Sequence, residues 1–200
     1  MKMEIKKYID DMNHTVMVAV LNYEIWWTYK EKESRKKYID TMNHYTMFFQ
    51  TSIHAHFVAL LVALYRLYET GHDTINIPEL IKLLEKNESI PQNALNEVRQ
   101  LYQETLPLCK KVSILRNNAF GHHSNKYSVS EVFQKVGATP NELKDLIERT
   151  KELLNNISHV WGRSVYAFDS LGTADDINRL LEDLKQLRET RSNTNVEPTS

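Results

Sequence analysis

The sequence predicts an all-α protein, and three observations carry that expectation. No stretch alternates apolar and polar residues with hairpin-type turns at its ends, so no strand pair is indicated. The first 70 residues hold neither glycine nor proline, and the five glycines, at 71, 121, 137, 162 and 172, fall where an apolar period stops. Met42, Tyr45, Phe49, His56, Leu60, Leu64 and Leu67 recur at steps of three, four or seven, which lines one face of a helix.

Taken in order, residues 4 to 32 form a first helix rich in aromatic side chains, with Tyr23, Trp26, Trp27 and Tyr29 expected in the core. The apolar stripe from 34 to 70 predicts one long second helix, the spine of a bundle. Pro78 suits the first turn of a short third helix ending near Glu88, because a missing N–H costs nothing there. Pro91 opens a fourth, from about 92 to 120, with Pro107 expected to kink it. Ser128 with Glu131, and Thr139 with Glu142, are capping boxes for two further helices, the second reaching Trp161. Thr173 starts a last helix to about Glu189. The expectation is a single helical domain over 1–190, with a disordered polar tail over 191–200.

The nonapeptide KKYIDDMNH at 6–14 returns as KKYIDTMNH at 36–44, but the likeness stops there and no third copy follows. A solenoid needs a sustained period, so the repeat reads as a local duplication inside two helical segments.

Composition sets limits on function. A formal net charge of -1 argues against a broad nucleic-acid-coating field, leaving only local basic clusters at Lys6–Lys7, Arg35–Lys37 and Lys110–Lys111. One cysteine, Cys109, allows no internal disulfide, and MKMEIKKYID has no apolar stretch fit for a signal peptide. The longest apolar run, around His56 to Tyr68, is broken by His, Tyr and Arg and reads as far short of a membrane span. A soluble, cytoplasmic protein with no membrane partner is expected.

One constellation carries chemistry. In LRNNAFGHHS, Arg116 is followed by Asn117 and, after five intervening residues, by His122 and then His123. An imidazole titrating at about 6.5 moves protons in either direction, and a guanidinium stays charged and matches phosphate oxygens with a planar fork. Such a pair can cleave a phosphodiester without a metal, with Asn117 orienting either group. Spacing alone is a weak signal, since nine arginines and eight histidines produce about one such match by chance. Arg66 and His72 are the decoy: Arg66 falls on the apolar stripe, followed by Leu67, and reads as a helix-end cation.

Around the first match, RNNAFGHHS resembles the motif of the HEPN superfamily, in particular its AbiU-like abortive-infection branch. There an arginine is followed by a polar residue, a few more positions and a histidine opening a polar turn. The resemblance extends to TMNHYTMFFQTSIHAHFVALLVALYRLYE and TPNELKDLIERTKELLN, roughly residues 20 to 165. It implies an up-and-down helical bundle with additional short helices, which pairs as a homodimer so that two motifs face each other. It further implies a toxin-like endoribonuclease used in phage defence, needing no cofactor and acting on RNA, with an antitoxin or regulatory protein as a further partner. Carried over by position, Arg116 would stabilise the phosphate, Asn117 would be its polar neighbour, and His122 would be general acid or base.

The register is open. On an unbroken helix His123 returns to the face of Arg116, whereas a helix ended by Gly121 restores His122. Two other readings stand beside the nuclease: a non-catalytic HEPN-like module that binds RNA or protein, and a metal-dependent helical-bundle enzyme. The second would need His44, His54, His56 and His122 or His159 to converge. Residues 54 and 56 point about 200° apart on a helix, and no His-Glu-x-x-His element is present.

Overall fold

The computed structural model describes residues 2–71, 74–117, 129–162, 164–168 and 172–194. Among these residues the fold is all-α, as expected: helices are joined by short non-helical connections, and no strand is present. The helices are α1 (Lys2–Lys30), α2 (Lys32–His44), α3 (Thr46–Tyr68), α4 (Ile77–Glu85), α5 (Gln92–Leu115), α6 (Val129–Val136), α7 (Pro140–Gly162) and α8 (Thr173–Thr194).

The expected long second helix is two. It breaks at Tyr45, whose φ of -112° and ψ of 42° leave the helical region. The Thr46 hydroxyl donates to the Asn43 carbonyl, so a side chain takes an acceptor that the backbone ladder would otherwise use. The stripe that ran through this point was real in burial, with Met42 and Phe49 in the core on either side, but a shared face does not require an unbroken axis.

Two local starts follow directly from side-chain chemistry. Asn76 caps α4 by accepting from the Glu79 N–H at 2.8 Å, with Pro78 in the first turn. At α7, Thr139 Oγ1 accepts from the Glu142 N–H at 3.2 Å, and Glu142 Oε2 accepts from the Thr139 N–H at 2.9 Å, the reciprocal box that the sequence predicts. Ser128, the other expected cap, lies outside the described residues, as do residues 195–200 of the tail expected to be disordered over 191–200, whose first four residues belong to α8 instead. α8 runs on to Thr194, past the expected end near Glu189.

The chain divides into two compact units. The first takes Met1–Val20 and Val58–Asp169. In it α5 packs on α7, α6 and α4, with Leu80, Leu84, Val98, Leu115, Leu146 and Leu153 fully buried. Burying each such leucine stabilises the fold by roughly 1.5–3 kcal/mol before entropy is counted. Asn155 clips the irregular segment 164–168 onto α7: its Oδ1 accepts from the Tyr166 N–H at 2.8 Å and its Nδ2 donates to the Tyr166 carbonyl at 3.2 Å.

The second unit takes Leu21–Phe57 and Ser170–Ser200. Here α2 packs on α8 around Tyr29, Tyr38, Met42, Phe49, Ile177 and Leu181. Tyr29 meets Phe49 edge-on at 5.4 Å between ring centroids. Tyr38 donates to Glu182 at 3.0 Å, and Lys37 pairs with the same carboxylate at 2.9 Å. Tyr23, Trp26 and Tyr29 are buried, the packing role expected of them, while Trp27 is half-buried.

The two nonapeptide copies are turned differently. The first buries Ile9, Met12 and Asn13, and the second buries Tyr38, Thr41 and Met42. The buried face has shifted by one position, a rotation of about 100°.

One expectation needs correction. The apolar stretch read as far short of a membrane span belongs to α3, which is long and apolar enough to cross a membrane by length and composition. The interruptions by His, Tyr and Arg are too few to offset the aliphatic residues between them. Core helices share this composition, and Phe49, Leu60, Leu61, Leu64 and Leu67 of α3 are buried.

Candidate active site

The site belongs to the first unit and is built on the end of α5. Val112 and Leu115 are buried there, which anchors the last turn. The Arg116 N–H is shared between the carbonyls of Val112 and Ser113, and the chain widens into a π-type turn through Arg116 and Asn117. Such turns insert a residue into the helical register and are frequent at functional positions.

Arg116 is half-buried and held on two sides. Its Nη1 donates to Asn117 Oδ1 at 2.9 Å, and its Cζ lies 4.7 Å from the centroid of Tyr65 on α3. A cation over an aromatic face is stabilised by about 0.5–2 kcal/mol, so the contact helps to hold the guanidinium in place. His122 and His123 lie outside the described residues, so the structure brings together Arg116 and Asn117 alone of the four predicted site residues.

The basic pair upstream is divided in its duties. Lys111 Nζ pairs with Glu142 Oε1 at 2.6 Å and donates to the Gly137 carbonyl at 3.1 Å, tying α5 to the start of α7. This lysine, with the Thr139 N–H, holds the Glu142 carboxyl below its ordinary range. Lys110 is exposed.

Between α3 and α5 lies a cleft of about 300 Å³ lined by Leu64, Tyr65, Tyr68, Glu69, Cys109 and Ser113, among others. Burial pushes the Cys109 thiol up to about 12, so it behaves as a small apolar wall group rather than a nucleophile. Burial also raises Tyr68, whose hydroxyl meets that of Thr150 at 2.7 Å. Sequence reasoning missed Tyr65 and this cleft. Tyr65 sits beside Leu64 in an apolar stripe and carries no mark that separates a platform from a core ring.

The decoy resolves differently from its expectation. Arg66 is exposed in the last turn of α3, not on the buried face, because Leu60, Leu64 and Leu67 define a face that Arg66 does not share. Its end-of-helix position is as expected, and His72 lies outside the described residues. For the metal alternative, His44, His54 and His159 are exposed. His56 is half-buried, with Nδ1 2.8 Å from Asn22 Oδ1, and burial lowers its pKa. Among the described residues no group of three His, Cys, Asp or Glu is placed to hold a metal ion.

The family model HEPN_AbiU2, described as AbiU2, matches residues 4–187. The chain belongs to the AbiU2 family of HEPN proteins. It is therefore an abortive-infection HEPN-type domain, and the match includes the whole stretch from Arg116 to His123. No curated protein and no solved structure matches this AbiU2 chain.

Proposed function

We propose that this AbiU2 chain is a metal-independent endoribonuclease that works as a cytoplasmic homodimer. The observation that carries the reading is the guanidinium of Arg116, held over Tyr65 and bonded to Asn117, within the stretch that the AbiU2 family model matches. In this reading Arg116 stabilises the charge that builds on the phosphate as it becomes five-coordinate. His122, or His123 if the helix continues unbroken, takes the proton of the attacking 2'-hydroxyl or returns one to the departing 5'-oxygen. The products are a 2',3'-cyclic phosphate and a 5'-hydroxyl, and the second copy supplies the complementary group.

Two apolar side chains at the start of α3 support pairing of two copies. Met47 is 77% and Phe48 60% exposed, surface that association would remove from water.

The test is cleavage of single-stranded RNA by the purified chain in excess chelator. His122→Ala and Arg116→Ala are expected to lose activity by about 10²–10⁴ while keeping the parent's helical circular dichroism. Undiminished cleavage by both variants, or none by the parent, refutes the reading; RNA bound but uncut by the parent favours a non-catalytic module.

A further inference from the structure

We propose that the cleft between α3 and α5 is a nucleotide subsite that seats the base next to the phosphate at Arg116 and prefers a base with an exocyclic amine. The proposal rests on the ribonuclease reading for its phosphate, and on separate geometry for its base.

Three features of the cleft point to a nucleoside. Its volume of about 300 Å³ lies at the low end for small-molecule sites, room for one base and its sugar. Its walls pair aromatic and aliphatic surface, from Tyr65, Tyr68 and Leu64, with the polar groups of Glu69, Lys110 and Ser113. That mixture suits a flat base whose edge bears donors and acceptors. Tyr65 is shared: it lines the cleft and also carries the guanidinium of Arg116. The phosphate-facing cation and the cleft therefore meet at one ring.

Helix geometry fits a strand running across α5. Leu106, Cys109, Lys110 and Ser113 line the cleft at the i, i+3, i+4, i+7 spacing of one helix face. Arg116 lies about 9 Å further along the axis than exposed Lys110 and about 120° around it, so a strand reaching both cations would cross the helix surface obliquely. Lys111, engaged with Glu142, is unavailable for that task.

Glu69 gives the subsite its preference. A carboxylate set against the 4-position accepts from the amino group of cytosine and meets the O4 carbonyl of uracil with repulsion, which leaves N3–H as the one donor uracil offers on that edge. A second carboxylate-free cleft of the same shape would stack both pyrimidines alike.

The decisive pair of probes is 3'-CMP and 3'-UMP, which differ in the group on C4 and in the proton on N3. Each is titrated into the full chain and followed by amide shifts at Leu106, Cys109 and Ser113. Saturable shifts are expected with both, with 3'-CMP bound about tenfold more tightly, the worth of one hydrogen bond to a charged group. Glu69→Gln, which keeps the side chain's shape, is expected to remove most of that preference. Ser113→Phe is expected to block both ligands, with the parent's circular dichroism and melting profile as the check on folding. An absence of saturable shifts in the cleft, or a preference that survives Glu69→Gln, overturns the subsite even if the chain cuts RNA. Glu69-dependent binding by a chain that cuts no RNA upholds the subsite and overturns the ribonuclease reading instead.

Discussion

The guanidinium of Arg116 lies over the ring of Tyr65, 4.7 Å from its centroid, so two residues 51 positions apart in sequence form one oriented unit. A double-mutant cycle with Tyr65→Leu and Arg116→Gln should show a coupling of about 0.5–2 kcal/mol in urea unfolding. Strict additivity would mean that the contact has no energetic weight. Arg116→Lys should not restore activity, because an ammonium lacks both the planar fork and the stacking face.

The reciprocal cap at the start of α7 makes a second prediction. Thr139→Ala should cost about 1 kcal/mol and lower the melting midpoint by roughly 2–4 °C. Glu142→Gln removes the carboxylate from both the cap and Lys111. Because the folded pKa of Glu142 is depressed, its contribution is present above the unfolded value of about 4.3 and fades as pH falls through the folded one. The stability gap between parent and Glu142→Gln should therefore narrow in acid; a gap constant down to the most acidic condition contradicts the assignment.

His56 should leave a signature at milder pH. Burial lowers its folded pKa, so the unfolded imidazole takes up its proton first, near 6.5. Stability linked to this residue is thus intact above about 6.5 and declines below it, levelling off only once the folded imidazole also titrates. His56→Asn should flatten the slope of unfolding free energy between pH 7.5 and 5.5 relative to the parent. Parallel curves for the two proteins would count against it.

Exposed Phe48 makes the pairing of chains testable by mass. Light scattering after gel filtration should give a dimer for the parent and a monomer for Phe48→Glu, since a charge on a dry interface is costly to bury. An unchanged mass would move the contact elsewhere.

The sequence was most legible where a local rule needs few partners. The box at Thr139 and Glu142 depends on four consecutive residues, and the structure holds both of its hydrogen bonds. The break at Tyr45 escaped notice because the apolar stripe is continuous in burial across it, and periodicity reports faces rather than axes. The hydrogen bond from Arg116 to Asn117 joins chain neighbours, whereas the contact with Tyr65 depends on how α3 meets α5, which no spacing encodes. Lys110 and Lys111 looked alike in sequence; helix angle alone turns one outward and hands the other to Glu142.

The near-identical nonapeptides show how little a run of letters fixes its own fate. A lysine in place of Ile9 would thrust an ammonium into a dry interior, while the matching exchange at Ile39, which is half-buried, could stretch its stem along the surface and reach solvent. For Tyr8 and Tyr38 the ranking inverts, with the later copy the intolerant one. Swapping one nonapeptide for the other is thus nearly silent in text, yet mirrored point changes in the two would separate viable from unfolded chains.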